Sequence, residues 1–350
     1  MRRTLLLLAL PFLGFTASAQ LQRIVVQGTG APQVFTDITS ALTAAQSGDK
    51  LYLSGGTFSS ATPIVFDKQL HVIGAGMGPD SSAVTGITVL STEGTNDILL
   101  TTAASGSTFT GIRFDPGQYF QYGTSDADDD PTGVIFERCT FDTRLIADNG
   151  TNGSSSTLFL ECIFHSFLYG ADGTSATLER CILDHQAGTG AEISGFSNGL
   201  IMRHCIGLGT RVGNSDNCII ENCIFTRTSA PFWQSNGATL TNNLLVSTSL
   251  VSNMGGFVST DNVLGVPVTD IFINEDNADF EWTDDLHLQP SSVGIGMASD
   301  GTEVGIYGTS SPFKEGAVPF NPHYRSATID AATNANGDLP VNIRVAAQTY

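Results

Sequence analysis

One short string returns five times along the chain: "VIFERCTF" (134–141), "TLFLECIF" (157–164), "ATLERCIL" (176–183), "LIMRHCIGL" (200–208) and "IIENCIF" (219–225). With the cysteine or its equivalent as position zero, the zeros fall at Ile112, Cys139, Cys162, Cys181, Cys205, Cys223, Asn243 and Asn262. The intervals are 27, 23, 19, 24, 18, 20 and 19 residues. A repeat of this length with variable loops is what one coil of a solenoid requires, because each coil buries its inner face only against the next.

The columns show which way the side chains point. Position +2 holds Phe114, Phe141, Phe164, Leu183, Gly207, Phe225, Leu245 and Leu264, and position −3 holds Phe109, Phe136, Phe159, Leu178, Met202, Ile220, Leu240 and Ser259. Position −5 is also apolar or small, so −5, −3, 0 and +2 face inward. Strand alternation has period two, and the step from −3 to 0 breaks that phase. A sharp corner is therefore expected near −1. Strand, corner and strand, stacked repeatedly, make an all-β, single-stranded right-handed parallel β-helix. A helical solenoid is the competing architecture, but the runs are short, β-branched and glycine-bounded, without a 3.6-residue period.

Five of the six cysteines occupy column zero, and Cys218 lies in another inward column. An even count in an exported chain favours disulfides. Strand spacing of about 4.8 Å allows bridges by distance, yet side chains projecting side by side from parallel strands suit the disulfide torsion badly. Replacement by Ile112, Asn243 and Asn262 points to a column that asks only for small or medium residues. The reading is a ladder of free, buried thiols. No CxxC or HxxxH pattern supports zinc.

Before the repeat, "VFTDITSALTAAQSGDKLYLSGGTF" (34–58) resembles the opening of secreted β-helix proteins of the pectate-lyase-like superfamily. The resemblance implies an amphipathic capping helix over the first coil, followed by a Gly-Asp turn into a strand. Ile38, Leu42 and Ala45 form its apolar stripe, with Thr36 or Asp37 as N-cap. "DIFINEDNADFEWTDDLHLQPSSVGIGMASDGTEVGIYG" (270–308) resembles the closing segment of such proteins. The expected organisation is a signal peptide (1–19), a β-helix (20–310), a linker (311–323) and a C-terminal β-hairpin (324–350) turning at Asn336-Gly337. The start "MRRTLLLLALPFLGFTASAQ" has the basic, apolar and Ala-Ser-Ala parts of a secretory signal, with cleavage near Ala19. The expected location is secreted, extracellular or cell-surface, with the periplasm as a further compartment.

The formal charge is −19, and removing Arg2 and Arg3 takes it to −21. Such a body repels nucleic acid and anionic membranes, and uronic-acid polymers too unless a cation intervenes. No stretch after the signal is long enough to span a membrane.

In "SDADDDPTGVIFE" (125–137), Asp126, Asp128 and Asp130 alternate as hard ligands suited to Ca²⁺. Pro131 stands where a calcium loop places glycine, and a solvated acidic loop is the other reading. Tyr119, Phe120 and Tyr122 lie in the same, longest interval and mark the best candidate ligand cleft. A second acidic run, Glu275 to Asp285 around Trp282, reads as solvated surface. "GFSNG" (195–199) matches a nucleophile elbow, but a strand rather than a helix follows it. Position −1 reads Arg138, Glu161, Arg180, His204, Asn222, Asn242 and Asp261. Its alternating signs suggest a surface ion-pair ladder rather than a lyase base. Position −4 should face outward yet reads Ile135, Leu158, Thr177, Ile201, Ile219, Thr239 and Val258, so a cover is expected: the C-terminal hairpin, or a second subunit in lateral self-association.

Two function classes follow. One is a noncatalytic glycan-binding or structural, adhesive protein whose partner is a polysaccharide or cell-surface glycan. The other is a Ca²⁺-dependent polysaccharide lyase or other glycan-degrading enzyme, as the superfamily resemblance implies. No catalytic residue is assigned, since no lyase motif is matched and short loops leave little to wall a cleft.

Overall fold

The column pattern sets one coil, and the coil sets the fold. In a representative turn, strand Ser156–Leu160 runs into Glu161, turns, continues as Ile163–Phe164, bends through 165–167 into Leu168–Tyr169, and returns to Ser175–Glu179. Stacked turns make three sheets: a first of twelve strands, and a second and third of nine each. Pairing is parallel throughout the second and third sheets and in the first from Lys50–Leu53 onward, so the protein is a β-solenoid. The structure, a computed structural model, describes residues 22–79, 86–148, 150, 153–184, 192–197, 199–275, 277, 279–314, 323–330, 332–334 and 336–346. The stretch read as a signal peptide lies outside them. No helix among the described residues is long and apolar enough to cross a membrane.

The corner sits where the phase break requires it. Gly111, Arg138, Glu161, Arg180, His204, Asn222, Asn242 and Asp261 all have φ between 50° and 67°. An L-residue held in that left-handed region costs about 1–2 kcal/mol, so stacking of the columns must outweigh that strain on every coil. Register shows how. Phe136, Phe159, Leu178, Met202, Ile220 and Leu240 are successive partners across the first sheet. Rings follow the strand repeat: Phe136 stacks on Phe159 at 5.4 Å and Phe141 on Phe164 at 5.0 Å, within 13° of parallel. Gly207 interrupts the +2 column because a Cβ there would meet the Phe225 ring at 2.8 Å.

All six cysteines are free and buried. Column zero has a hydrogen-bonding task as well as a size limit. Cys205 Sγ accepts from Cys181 N at 3.4 Å and donates to Leu178 O at 3.4 Å. Asn243 does the same two coils further on, its Oδ1 accepting from Cys223 N at 3.0 Å and its Nδ2 donating to Ile220 O at 2.9 Å. Asn262 repeats the pattern on Asn243 N and Leu240 O. The corner takes the position-zero N–H out of the regular ladder, and the thiol or amide of the next coil accepts it while donating to a carbonyl of the strand. Burial pushes the Cys162, Cys181 and Cys223 thiols well up and Cys218 up to about 12, which keeps them unreactive.

At the start of the solenoid, helix Ile38–Ala44 is N-capped by Asp37, whose Oδ1 accepts from Ser40 N at 2.7 Å. Its stripe, Ile38, Ala41, Leu42 and Ala45, joins the main apolar cluster. At the other end the chain doubles back over the corner. Asn242 Nδ2 donates to Met297 O, Asn222 exchanges bonds with Ser299, His204 Nδ1 lies 3.3 Å from Gly305 O, and Lys314 N donates to Glu161 Oε2 at 3.3 Å. A Cβ on Gly305 would meet Ile224 Cδ1 at 2.7 Å, so only glycine lets the cover lie this close. Beneath the cover, the outward residues Ile163, Ile182, Ile206, Ile224 and Leu244 of the second sheet pack with Leu286, Val304, Ile306 and Phe313.

This cover corrects the expected surface ladder. Arg138 is 0% and Glu161 3% exposed, with Arg138 Nε 2.9 Å from Glu161 Oε2 and Arg180 Nη2 3.8 Å from Glu161 Oε1. Alternating signs did identify an ion-pair ladder, but it is buried beneath chain that lies 153 residues away in sequence. Column −4 of the first sheet is left half-buried from Ile135 to Thr239, with Val258 exposed. The C-terminal strands His323–Ile329 and Val341–Ala346 pair antiparallel as a hairpin.

Two substitutions test these arrangements. Glu161→Ala removes the carboxylate paired with buried Arg138 and should cost about 3–5 kcal/mol in denaturant unfolding, as removing one member of a buried pair does. Cys205→Val should cost about 1–3 kcal/mol by orphaning the buried Cys181 N–H, whereas Cys205→Asn should stay near the parent value. None of the six thiols should react with a maleimide until the protein is unfolded.

Candidate ligand-binding face

Sequence reasoning placed a cleft at Tyr119, Phe120 and Tyr122; the structure divides them. Phe120 and Tyr122 belong to strand Phe120–Tyr122 of the third sheet and are wholly buried, Phe120 against Phe114 and Phe136, Tyr122 with its hydroxyl 2.6 Å from Thr157 Oγ1. Burial pushes the Tyr122 phenol up, keeping it neutral. These two are core residues, and only Tyr119 reaches the outer face.

Tyr119 opens a file on the outside of the third sheet. Pairing of Phe120 with Leu145 and Leu145 with Leu168 sets Tyr119, Arg144 and Phe167 side by side on successive coils. The Arg144 guanidinium lies 5.2 Å from the Tyr119 ring centre, 5.3 Å from Phe167 and 5.1 Å from Tyr169. Phe167 and Tyr169 stack on each other at 5.3 Å. Arg144 makes no ion pair among the described residues, and its Nε is buried without a hydrogen-bond partner. Three ring faces hold this cation in place of a carboxylate.

The file continues over later coils. Glu192 Oε2 accepts from Arg211 Nη2 at 2.8 Å, and Arg211 lies 4.7 Å from the Trp233 ring centre. Arg227 stands nearby, its Nε on Ser229 Oγ at 2.8 Å and its Nη1 on Gly209 O at 3.2 Å. Burial, then the charge of Arg211, lowers the Arg227 pKa. Arg211, Arg227, Trp233, Ser229, Thr248 and Ser249 line an open recess of about 440 Å³, a size suited to a small ligand unit. On the opposite border lies a polar groove of about 360 Å³ lined by Asp172, Ser197, Asn214, Asp216, Gln234 and Asn236. Asn214, Gln234 and Asn253 turn the chain there with positive φ, a second corner column that sequence reasoning missed. Ser197 sits in the loop between strands Glu192–Ser194 and Leu200–Arg203, so no helix follows it and the elbow motif lacks its context.

The acidic loop is also rearranged. Asp128 is consumed by its own turn, accepting from Thr124 N and Ser125 N at 2.7 and 2.9 Å. Burial opposes ionisation there, but the Thr124 and Ser125 bonds win and lower its pKa. Asp130 Oδ1 accepts from Ser154 N, and Asp126 lies against Gly150. Asp148, absent from the sequence-based set, joins them: its Oδ1 accepts from Gly150 N at 2.6 Å while its Oδ2 is buried without a partner. Among the described residues, no three or more His, Cys, Asp or Glu side chains are grouped to hold a metal ion. In the closing segment Glu281 and Trp282 are exposed and Glu275 and Asp279 half-buried, Trp282 packing edge-on to Phe280.

Burial first, then Asp129, Asp130 and Asp126, raise the Asp148 pKa. A carboxyl raised above its unfolded value opposes folding at neutral pH, and the penalty vanishes as pH falls below that value. Asp148→Asn should therefore raise Tm at pH 7–8, with the gain shrinking on acidification toward pH 4. A cation held by this loop would reverse the sign, so the melts are run with and without Ca²⁺.

No family model matches the sequence, and no curated protein matches it.

Proposed function

We propose that this chain is a noncatalytic glycan-binding protein, exported through its N-terminal signal, that takes a polysaccharide or cell-surface glycan along the outer face of its third sheet. The observation that carries the reading is the file Tyr119–Arg144–Phe167–Tyr169 and Glu192–Arg211–Trp233, with rungs every ~4.8 Å. Ring faces are flat apolar platforms for the faces of sugar rings, and fixed guanidinium forks donate to hydroxyl or carboxylate oxygens. Three of the twelve arginines, Arg144, Arg211 and Arg227, gather on this face of a protein with net charge −19, which offsets the general repulsion of acidic polymers locally. The resemblance of residues 34–58 and 270–308 to pectate-lyase-like β-helix proteins supports both export and a glycan partner, and a right-handed wind accords with the usual hand of parallel crossovers.

The acids beside the file support binding rather than turnover. Glu192 is engaged by Arg211, leaving it poorly placed to move a proton. Affinity electrophoresis of the protein through pectin, alginate and glycosaminoglycans, with and without Ca²⁺, tests the reading. Retardation by at least one polymer is expected, weakened about tenfold in Trp233→Ala and in Arg144→Ala, since each platform is worth roughly 1.4 kcal/mol. Absorbance from unsaturated sugar products would replace binding with a lyase activity, and release of reducing ends would indicate a hydrolase.

A further inference from the structure

The closing segment delivers the chain to a defined place. Lys314 is the last described residue before 315–322, and its N donates to Glu161 Oε2 at 3.3 Å. Glu161 follows strand Ser156–Leu160, three residues beyond Leu158, so the outer face of that strand begins about 10 Å away. There Leu158 stands in register between Ile135 and Thr177. With Gly133, Ser156 and Ser175 on the neighbouring outward column, they form a shallow recess of about 320 Å³. The small residues of that column leave room above the sheet, and the apolar column forms its floor.

Residues 315–322 span at most about 28 Å when extended, and beyond them lies the hairpin. Val341, Ile343 and Val345 alternate along its second strand and so share a face, where they are 51%, 47% and 57% exposed. Register sets Ile329 opposite Val341 and Ala327 opposite Ile343. A two-stranded hairpin is marginal alone and needs a sheet or helix to pack against. The recess at Ile135 and Leu158 is the uncovered apolar surface beside which the linker starts. Arg325 and Arg344 balance Asp330 and Asp338, so no net charge sets the hairpin against the acidic solenoid.

We propose that the hairpin 323–346 lies with its Val341–Ile343–Val345 face on the Ile135–Leu158–Thr177 recess of its own chain, closing the first sheet. A tether this short gives the hairpin a local concentration in the millimolar range, far above that of a second copy in dilute solution. The same linkage makes the contact a latch: it opens without unfolding the solenoid.

Cross-linking of the full chain tests this directly. Leu158→Cys and Ile343→Cys are introduced together, the six native thiols being buried, and a short bis-maleimide is added. A monomer-mass product joining the two positions is expected, absent from either single variant. Dimers joined through them would overturn the proposal in favour of lateral association, and no product at all would overturn it outright. Independently, Ile343→Asp should speed tryptic cleavage after Lys314 or Arg325 about tenfold, with the far-UV spectrum and solenoid melting unchanged. A cleavage rate equal to the parent's would count against the latch.

Discussion

The fold rests on one constraint: at the corner between the first and second sheets, one residue must turn the backbone through the left-handed region without leaving the polar groups beside it unpaired. Register solves both halves. Every corner residue from Gly111 to Asp261 adopts nearly the same φ, so side chains before and after it align over their counterparts. The side chain at position zero then bonds the backbone of the coil before it, whether as thiol in Cys205 or as amide in Asn243. Cysteine and asparagine look unrelated on a hydropathy scale. In this column they are equivalent because both are small and both donate and accept.

That constraint explains what could be read from the residues. Positions −5 to +2 are held at fixed spacing across eight coils, so inward columns, the corner and the free thiols were all legible. The third sheet was not. Its inward residues Phe120, Leu145, Leu168, Ile193, Val212 and Phe232 follow position zero by 8, 6, 6, 12, 7 and 9 residues, since the intervening loop varies in length. Without a fixed offset there is no column to align, which is why Phe120 and Tyr122 were read as surface while Arg144, Tyr169 and Trp233 went unnoticed. Alternation within "YFQY" (119–122) carried the needed parity, but not its sign.

The buried ladder Arg138–Glu161–Arg180 was half legible for a different reason. Its charges sit outside the wall of the solenoid, where sequence logic puts them, and the wall is then covered by residues 294–314. No local pattern in 134–181 encodes a cover that distant. The signal lay in the closing segment itself, whose Val304, Ile306 and Phe313 need an apolar surface that their own neighbourhood lacks.

A solenoid of three sheets has three outer faces, and the distribution of residues assigns each a different fate. The second carries Ile163, Ile182, Ile206, Ile224 and Leu244, and the closing segment buries it. The first carries a weaker apolar column beside glycines and serines, left half-buried, and is the face on which we propose a second layer of sheet. The third mixes rings with cations: Tyr119, Phe167, Tyr169 and Trp233 around Arg144 and Arg211. Such a face is too polar to be sealed by an apolar segment without stranding guanidinium groups, and too aromatic to be only a solvated wall. A flat, hydrogen-bonding ligand with both polar and apolar aspects satisfies it, and a glycan is the common polymer with that chemistry.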